Sequence, residues 1–297
     1  MRTIRNCKCA CACSDREVGP GRIWRPGVGA WYPAPFVEFS IGMHVTAALG
    51  SIIAPSYWAW WLASLAADHL CLSVFGMWPR NRLLGPNVSR LPHASADRAE
   101  VALTFDDGPH PEVTPLVLDL LGRYGAKATF FCIGERASKY PQLVRQIQAR
   151  GHSVQNHTQT HPYSFACRTP YRLAREISEA QRAIFEAGGV RPRFFRAPAG
   201  LRSPLLDPVL AWMGLQYVSW TRRGLDGISR DPNRILERLL AELAAGDILL
   251  LHDGSCTGTL AGKPVVLAVL PALLQHLTGR GLRSVSLTQA FPVPTSA

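Results

Sequence analysis

The sequence predicts an α/β fold whose parallel sheet closes into a small barrel, preceded by a hydrophobic segment. Two observations carry this prediction. Beyond residue 98, seven short apolar runs alternate with segments of helical spacing, which is the pattern of a parallel sheet with right-handed crossovers. Residues 41–78 before it are apolar and nearly free of charge. Seven strands within about 200 residues favour a barrel, and an open doubly wound sheet is the second possibility.

Residues 1–40 are predicted to be a disordered basic leader, because they are rich in Arg, Gly, Pro and Cys and show no apolar periodicity. Alternate-residue spacing of cysteines does not match that of zinc-binding motifs, and no disulfide framework is indicated. We interpret this part as a flexible leader or as upstream sequence outside the fold. Its cysteines are Cys7, Cys9, Cys11 and Cys13.

Residues 41–78 are predicted to anchor the protein in a membrane. Their one acidic residue is Asp68, they contain no Lys or Arg, and the aromatic cluster of Tyr57–Leu62 is typical of bilayer interfaces. About 20 apolar residues cross a bilayer, so the segment fits one span or two short re-entrant helices broken near Pro55. A hydrophobic helix packed on the soluble domain is the alternative. A start at Met43 would make the segment an uncleaved signal anchor.

Basic residues before this segment predict its orientation. The positive-inside rule places the N-terminus in the cytoplasm, so a single span sends the rest of the chain to the other side. We therefore expect an inner-membrane protein whose catalytic domain faces the periplasm or the outside, with a cytoplasmic protein as the alternative. The basic residues concerned are Arg2, Arg5, Lys8, Arg16, Arg22 and Arg25.

Residues 79–97 contain three prolines and one glycine and are predicted to link the anchor to a catalytic domain over residues 98–297. Short apolar runs mark the strands of that domain. The predicted strands are Val101–Phe105, Ala128–Ile133, His152–Gln155, Arg193–Phe195, Gln216–Trp220, Ile248–Leu251 and Leu282–Leu287.

Helices are predicted to start where a capping residue precedes Pro, since Pro at the first helical position loses no hydrogen bond. These sites are Thr114-Pro115, Thr169-Pro170, Ser203-Pro204 and Asp231-Pro232. Glycines are predicted to stop helices at Gly125, Gly151 and Gly188.

Polar residues follow the predicted strands at one edge of the barrel, where sites of this fold lie. The first strand ends in Asp106 and Asp107. Two adjacent carboxylates disfavour each other's charged form, and a bound cation is the usual remedy. Later strand ends add His157, His161, Arg196, Asp226 and His252.

His157 and His161 are four residues apart, so one helical turn can aim both imidazoles at one point. Two His and one carboxylate leave coordination positions open for water and substrate, as a hydrolytic metal requires. One Asp of the pair would bind the metal and the other would stay free as a base. Adjacent strand residues point to opposite sides, so Asp106 and Asp107 are expected to differ in environment and role.

At five places the sequence resembles the polysaccharide deacetylases, the NodB-homology or carbohydrate esterase family 4 enzymes. The resemblance covers roughly residues 98–290. It implies a distorted (β/α)7 barrel, a divalent metal and hydrolysis of an N-acetyl or O-acetyl group on a glycan. The matching segments, in order, are Thr104–Pro109, His157–His161, Arg196–Gly200, Trp220–Asp226 and Ile248–Asp253.

The resemblance also implies roles for the metal side of the site. One divalent ion, zinc in most of the family, would be held by Asp107, His157 and His161, and Co²⁺ or Mn²⁺ would fit the same ligands. Asp106 would be the general base that takes a proton from water. Arg196 would pair with Asp106 and keep it ionised and oriented.

On the leaving-group side, the resemblance implies that His252 is the general acid and that Asp226 raises its pKa. Leu250 would help to wall the pocket for the acetyl methyl group. Two positions depart from the family pattern. Ala199 replaces an aromatic residue, leaving its backbone N–H for the oxyanion, and Gly227 replaces a Trp. Trp220, or Trp212, would have to supply the missing wall.

We therefore expect a metal-dependent hydrolase that removes acetyl groups, N-acetyl before O-acetyl, from an acetylated polysaccharide or oligosaccharide containing N-acetylglucosamine. The alternatives are a catalytically silent carbohydrate-binding module and a metal-dependent amidohydrolase acting on a small molecule. Nucleic acid is not an expected partner. The net charge is +11, but the basic residues are dispersed and no basic stripe interleaves with aromatic residues.

Overall fold

The structure is a computed structural model and describes residues 31–292. The predictions for the cysteines and basic residues before residue 31 lie outside these described residues. Within them, all seven predicted strands are present. The strands are β1 Glu100–Asp106, β2 Ala128–Cys132, β3 Ser153–Asn156, β4 Phe194–Phe195, β5 Gln216–Tyr217, β6 Arg222–Arg223, β7 Ile248–His252 and β8 Arg283–Ser284.

Every strand pairing is parallel, and the order across the sheet is β5-β4-β3-β2-β1-β7-β6, with β8 paired to the start of β1. The sheet curls into the distorted barrel that was predicted. One strand, β6, is not among the predicted strands. Two arginines carry no apolar pattern, and the pairing with Leu249 and Leu250 of β7 makes them a strand.

Helices alternate with these strands. They are α1 Pro35–Ile53, α2 Trp58–Gly76, α3 His93–Asp97, α4 Val113–Arg123, α5 Gly134–Lys139, α6 Pro141–Ala149, α7 Pro170–Gly188, α8 Leu206–Met213, α9 Pro232–Leu240, α10 Val265–Gly279 and α11 Leu287–Ala290.

The predicted helix starts hold in two of four places. Asp231 caps α9 by accepting from two backbone N–H groups, and α7 starts at Pro170. By contrast, α4 starts at Val113, and α8 starts at Leu206. Thr114 is not a cap because its hydroxyl is engaged with Asp253 across the barrel. The predicted stop at Gly188 holds, because α7 ends at that residue and is followed by Gly189 in the left-handed conformation.

The alternation along β1 separates two layers of core. Leu103 and Phe105 belong to the core between the sheet and the outer helices. Ala102 lies in the inner core of the barrel, with Phe131 and Leu250. Asp106 is the next residue of β1 on this inward side. Its carboxylate therefore lies at the end of the barrel where the strands end, which is called the mouth below.

The segment 79–97, predicted as a linker, is instead part of the barrel. Val88 bridges Val218 in parallel just after β5, and the Leu91 N–H donates to the Gly246 carbonyl (2.8 Å) just before β7. The segment thus fills the opening between the two edges of the curled sheet. Its prolines favour extended backbone, which suits this position as well as it suits a linker.

The hydrophobic segment forms a helical hairpin. A short 3₁₀ turn over Pro55–Tyr57 joins α1 to α2, so the break predicted near Pro55 is present. The first helix begins at Pro35, before the predicted boundary at residue 41. Within the described residues, α1 is the helix that is long and apolar enough to cross a membrane by length and composition.

Candidate active site

Asp106 and Arg196 form a buried ion pair at the mouth of the barrel. Arg196 has no exposed surface, and its Nη1 donates to Asp106 Oδ1 (2.7 Å) and to the Thr104 hydroxyl (2.8 Å). Its Nη2 donates to the Ser219 carbonyl (3.0 Å), and its guanidinium lies 4.1 Å from the centre of the Phe131 ring. Because each of these contacts is fixed by the barrel wall, the Asp106 carboxylate is held in one orientation.

Asp107 faces the same centre as Asp106, contrary to the expectation that the two would point to opposite sides. Its φ of +70° is left-handed, so the strand alternation ends at Asp106 and the next carboxylate turns back to the mouth. Asp107 Oδ1 lies 3.1 Å from His157 Nε2 and 3.2 Å from His161 Nε2. Asp106 Oδ2 is farther from His157 Nε2, at 3.9 Å.

These three residues fit a divalent metal. One ligand atom from each of Asp107, His157 and His161 lies within 4.8 Å of the other two. Asp107 Oδ1 is buried and has no hydrogen-bond partner among the described residues, which a cation would supply. His157 Nδ1 lies 2.8 Å from the Arg196 carbonyl and therefore donates to it, so in the neutral ring Nε2 faces the cluster with its lone pair.

The ionisation of Asp107 agrees with this. Burial favours the neutral acid, but hydrogen bonding from His157 and the nearby imidazoles outweigh it and lower the pKa of Asp107 well below its usual range. Burial, aided by the charge of His157, lowers the pKa of His161. For His157, burial is outweighed by the carboxylates of Asp106 and Asp107, which raise its pKa. An ionised carboxylate beside imidazoles is what a metal ligand set requires.

His157 and His161 lie in an irregular loop and not on the helical turn that was expected. Thr158 and His161 have left-handed φ values of +66° and +52°. Glu176 of α7 holds this loop, since its carboxylate accepts from the Gln159 and Thr160 N–H groups (3.1 and 3.0 Å). The two imidazoles therefore converge, as their spacing of four residues predicted, but left-handed backbone turns and not a helical turn bring them together.

His252 and Asp226 form a second buried pair. His252 Nδ1 lies 2.8 Å from Asp226 Oδ1, and the His252 N–H donates to Asp226 Oδ2 (2.7 Å). Burial lowers the pKa of His252, but the hydrogen bond and charge of Asp226, with smaller contributions from Asp106 and Asp107, raise it to about 9. At neutral pH this imidazole is thus a protonated acid aimed at the mouth of the barrel.

Comparison with known proteins identifies the family of the chain. A family model described as polysaccharide deacetylase matches residues 93–218. The chain is 38% identical over 205 residues to a chitooligosaccharide deacetylase of Sinorhizobium fredii, covering 67% of this chain and 95% of that protein. It is 35% identical over 191 residues to a peptidoglycan-N-acetylglucosamine deacetylase of Bacillus cereus, covering 64% and 86%. The chain belongs to the polysaccharide deacetylase family. A solved structure of a family 4 carbohydrate esterase from Streptomyces lividans is 35% identical, with a TM-score of 0.56 over 62% of this chain and 91% of that one.

These matches confirm the predicted family, the fold and the class of enzyme. The polysaccharide deacetylases are hydrolases of carbohydrate esterase family 4. The charged residues and histidines of the quoted segments that were expected at the strand ends lie together at this mouth; they are Asp106, Asp107, His157, His161, Arg196, Asp226 and His252. The roles of the individual side chains are not decided by the matches, and they are taken up as a proposal below.

Two residues that sequence reasoning missed connect the loops of this deacetylase site. Arg136 of α5 donates to the Asp107 carbonyl (2.7 Å) and to the Gly254 carbonyl (2.9 Å), which ties the loop after β1 to the loop after β7. The Ser255 hydroxyl donates to Asp107 Oδ2, the oxygen that does not face the histidines. Ser255 follows the His252–Gly254 stretch directly, so its position was a usable signal. Nothing in the sequence marks Arg136.

Asp253 is a third missed residue. It has no exposed surface, and it accepts a hydrogen bond from the Thr114 hydroxyl. Burial, together with the charges of Asp107 and Asp106, raises its pKa to about 7, against the lowering effect of Thr114. A Cβ at Gly108 would overlap the Asp253 carboxyl group, so this close approach requires glycine there.

The residues predicted to contact the substrate differ in how exposed they are. Ala199 is exposed in the turn Pro198–Gly200, with a left-handed φ of +54°. Leu250 and Trp220 are 1% and 6% exposed and belong to the inner core, so they form the floor of the mouth. A Cβ built on Gly227 comes within 4.0 Å of the His252 ring. A side chain at residue 227, where the family pattern has a Trp, would therefore start in contact with His252.

Proposed function

We propose that the chain is a metal-dependent deacetylase that removes N-acetyl groups from a saccharide containing N-acetylglucosamine. One observation carries the proposal: a base-like pair, Asp106 with Arg196, and an acid-like pair, His252 with Asp226, lie at one mouth around the three-residue cluster of Asp107. Relatives named as deacetylases of chitooligosaccharides and of peptidoglycan N-acetylglucosamine support the substrate class.

Asp107, His157 and His161 would hold the metal, and two His with one carboxylate favour Zn²⁺, with Co²⁺ and Mn²⁺ as alternatives. The chemistry that such an ion supplies is positive charge, which polarises an acetyl carbonyl and makes a water more acidic. The other steps fall to side chains of the chain itself.

Asp106 accepts the proton of the attacking water. Its Oδ1 is occupied by Arg196, so Oδ2 is the oxygen free for this proton. Arg196 has a purely supporting part: its buried charge compensates the carboxylate and its four hydrogen bonds prevent rotation. A fixed base saves the cost of orienting it in the transition state.

His252 donates a proton to the amine nitrogen that leaves. An amine departs as a neutral molecule only after protonation, and an acid with a pKa of about 9 is charged at neutral pH. Asp226 keeps the donor nitrogen Nε2 directed outward by accepting from Nδ1. The exposed Ala199 N–H would receive the developing oxyanion, and Leu250 with Trp220 would contact the small methyl group of the acetyl at the floor.

Acetate release from N-acetylglucosamine oligomers by the metal-loaded protein tests this function. Asp106→Asn should abolish release while metal content, measured by elemental analysis, stays at one ion per active site. Asp119→Asn, on the exposed side of α4, is the matched control and should leave release unchanged. Full activity in Asp106→Asn would refute the base assignment. Oligomer binding without release under any of the three metals would favour a silent carbohydrate-binding module instead.

A parallel screen separates substrate classes. Release of acetate from small N-acetylated amides but not from oligomers would favour the small-molecule amidohydrolase.

We also propose that the hairpin of α1 and α2 attaches this catalytic domain, residues 79–292, to a membrane of the cell envelope. Its exposed apolar side chains would otherwise face water. Retention in the membrane pellet after alkaline carbonate is the expected outcome, and release into the supernatant would contradict it.

A further inference from the structure

The hairpin of α1 and α2 carries a second cluster of side chains that can bind a metal. His44 of α1 and the adjacent Asp68 and His69 of α2 each place one ligand atom within 4.8 Å of the other two. The centroids of the two imidazole rings are 5.1 Å apart. Two His and one carboxylate are the same ligand set as at the mouth of the barrel, but here they come from two helices joined by a turn.

The carboxylate of this cluster is buried, and no Lys or Arg of the hairpin compensates it. Asp68 is 4% exposed, and its Oδ1 has no hydrogen-bond partner within residues 31–292. Residues 35–76 contain no Lys or Arg, and His44 Nδ1 lies 3.8 Å from Asp68 Oδ2. A buried ionised carboxylate is costly unless a positive charge lies beside it. A cation at Asp68 Oδ1 would supply both the charge and the missing partner.

Contacts behind the three side chains already orient them as ligands. The Ser40 hydroxyl donates to Asp68 Oδ2 (2.7 Å), which leaves Oδ1 free. His44 Nδ1 lies 2.7 Å from the Ser40 carbonyl, and His69 Nδ1 lies 2.9 Å from the Leu65 carbonyl, so both nitrogens donate. Nε2 of each neutral ring then has its lone pair available. Histidine ligands in metal sites commonly donate their other ring N–H to a carbonyl in this way.

The cluster is accessible from a cavity that the hairpin shares with the catalytic domain. His44 and His69 are exposed, and both line this cavity of about 760 Å³. Its lining also includes Cys167, Leu201 and Pro208 of the catalytic domain. A metal ion can therefore reach the imidazoles from the cavity, and water can fill the remaining coordination positions. The rest of the hairpin surface stays available for the membrane proposed above.

The spacing and chemistry of the cluster favour zinc. Bonds of about 2.0–2.2 Å hold the ligand atoms of one zinc ion within about 3.6 Å of each other, so the three ligand atoms need to close in by about 1 Å. Rotation of the exposed imidazoles can provide this movement. Two imidazoles and one carboxylate suit Zn²⁺ better than Mg²⁺ or Ca²⁺, which prefer oxygen ligands.

We propose that His44, Asp68 and His69 bind a zinc ion that clips α1 to α2. The ion compensates the charge of Asp68, and it closes the loop between the two helices, which restricts the unfolded chain and so stabilises the hairpin. The Arg202 N–H donates to the Gly76 carbonyl at the end of α2 (3.0 Å), so an ordered hairpin also supports the catalytic domain. This site lies apart from the mouth, and it therefore goes beyond the proposed function and does not rest on it.

The zinc content of the full chain in detergent, measured by elemental analysis after dialysis against metal-free buffer, tests the proposal. The double variant His44→Ala with His69→Gln should bind one equivalent of zinc less than the unmutated chain, because it removes two ligands of one ion. His93→Ala, which changes an exposed histidine of α3, is the matched control and should lose none. Cysteines contribute equally to all three chains, so the difference reports the hairpin. An unchanged zinc content in the double variant would overturn the proposal.

Hydrogen exchange provides a second measurement on a hairpin that keeps all three ligands. The Asp107→Ala chain lacks a ligand of the proposed catalytic ion, so protection of α1 and α2 by zinc has to come from the hairpin site. With free zinc at about ten times its Kd, exchange of these amides through opening of the hairpin should slow about 10-fold. Adding Asp68→Asn should remove the effect. Zinc that leaves the amides of α1 and α2 unprotected would overturn the site, whatever the hairpin variants do.

Acetate release keeps this site separate from the proposed deacetylase function. The chain with His44→Ala and His69→Gln should release acetate from N-acetylglucosamine oligomers at the rate of the unmutated chain, since neither residue lies at the mouth. A rate that falls in the double variant but not in His93→Ala would overturn the purely structural role of the ion. An unmutated chain that releases no acetate, together with loss of one zinc in the double variant, would contradict the proposed function and support the hairpin site.

Discussion

The sharpest test of the proposed acid is Asp226→Asn, which removes the partner that raises the pKa of His252. Burial alone lowers that pKa, and Asp226 is the largest influence in the opposite direction. The step from the ordinary 6.5 to about 9 corresponds to about 3.4 kcal/mol of preference for the protonated imidazole. Without Asp226, burial should bring the pKa to 6.5 or below. A cation at Asp107 would offset the pKa-raising effect of Asp106 and Asp107 on His252, so Asp226 is the partner that decides the His252 pKa.

The consequence is a shift of the alkaline limb of the pH profile. An acid must be protonated to act, so activity falls as pH rises through its pKa. At pH 8 an acid of pKa 9 is about 90% protonated and one of pKa 6.5 about 3%, so kcat/KM should fall about 30-fold at pH 8. At pH 6 the loss should be much smaller.

The assay is acetate release from N-acetylglucosamine oligomers between pH 5.5 and 10, with the His252 pKa followed by NMR. Asp231→Asn is the matched control, because it changes a nearby aspartate that only caps α9. An alkaline limb that stays near pH 9 in Asp226→Asn would refute the assignment of His252 as the acid under the control of Asp226.

Three further changes have expected outcomes. Ser255→Ala should weaken metal affinity about 10- to 100-fold, because it frees the second oxygen of a ligand carboxylate; unchanged affinity by calorimetry would exclude such a supporting role. Arg196→Met should cost about 3–5 kcal/mol in the free energy of unfolding, since it leaves Asp106 buried without its partner; a loss below 1 kcal/mol in urea titrations of the metal-free protein would contradict this. Asp253→Asn should stabilise the fold at pH 8 but not at pH 4. The folded-state pKa of Asp253 is about 7 against 3.8, so a penalty of up to about 4 kcal/mol builds up as pH rises between those values. Equal unfolding midpoints of the variant and the parent chain at pH 8 would refute the charged state assumed for Asp253.

Much of the fold and of the site was predictable, because residues that follow the parallel strands of a barrel lie together at one end of it. Apolar runs found all strands except β6, whose arginines become a strand only through pairing with β7. The groups proposed for catalysis follow strand ends, so Asp106, Arg196 and His252 were expected at one mouth, and the structure brings them there.

What sequence could not supply is backbone geometry and remote support. The left-handed φ of Asp107 turns a carboxylate that strand alternation would have sent away. Glu176 and Arg136 steady the site from helices far along the chain, and no local pattern marks them. The segment around Val88 reads as a linker because a single bridge to Val218, and not apolar periodicity, places it in the barrel.

That last segment also determines how far the enzyme can reach. A flexible tether of 19 residues would let a catalytic domain roam about 25 Å from its anchor. Here those residues are built into the barrel wall, and Arg202 binds the end of α2 directly. With the hairpin in a membrane, as proposed above, the mouth would be held at a fixed height and tilt over the bilayer. The enzyme would then act on saccharides presented at that height and would not search the surrounding volume for them.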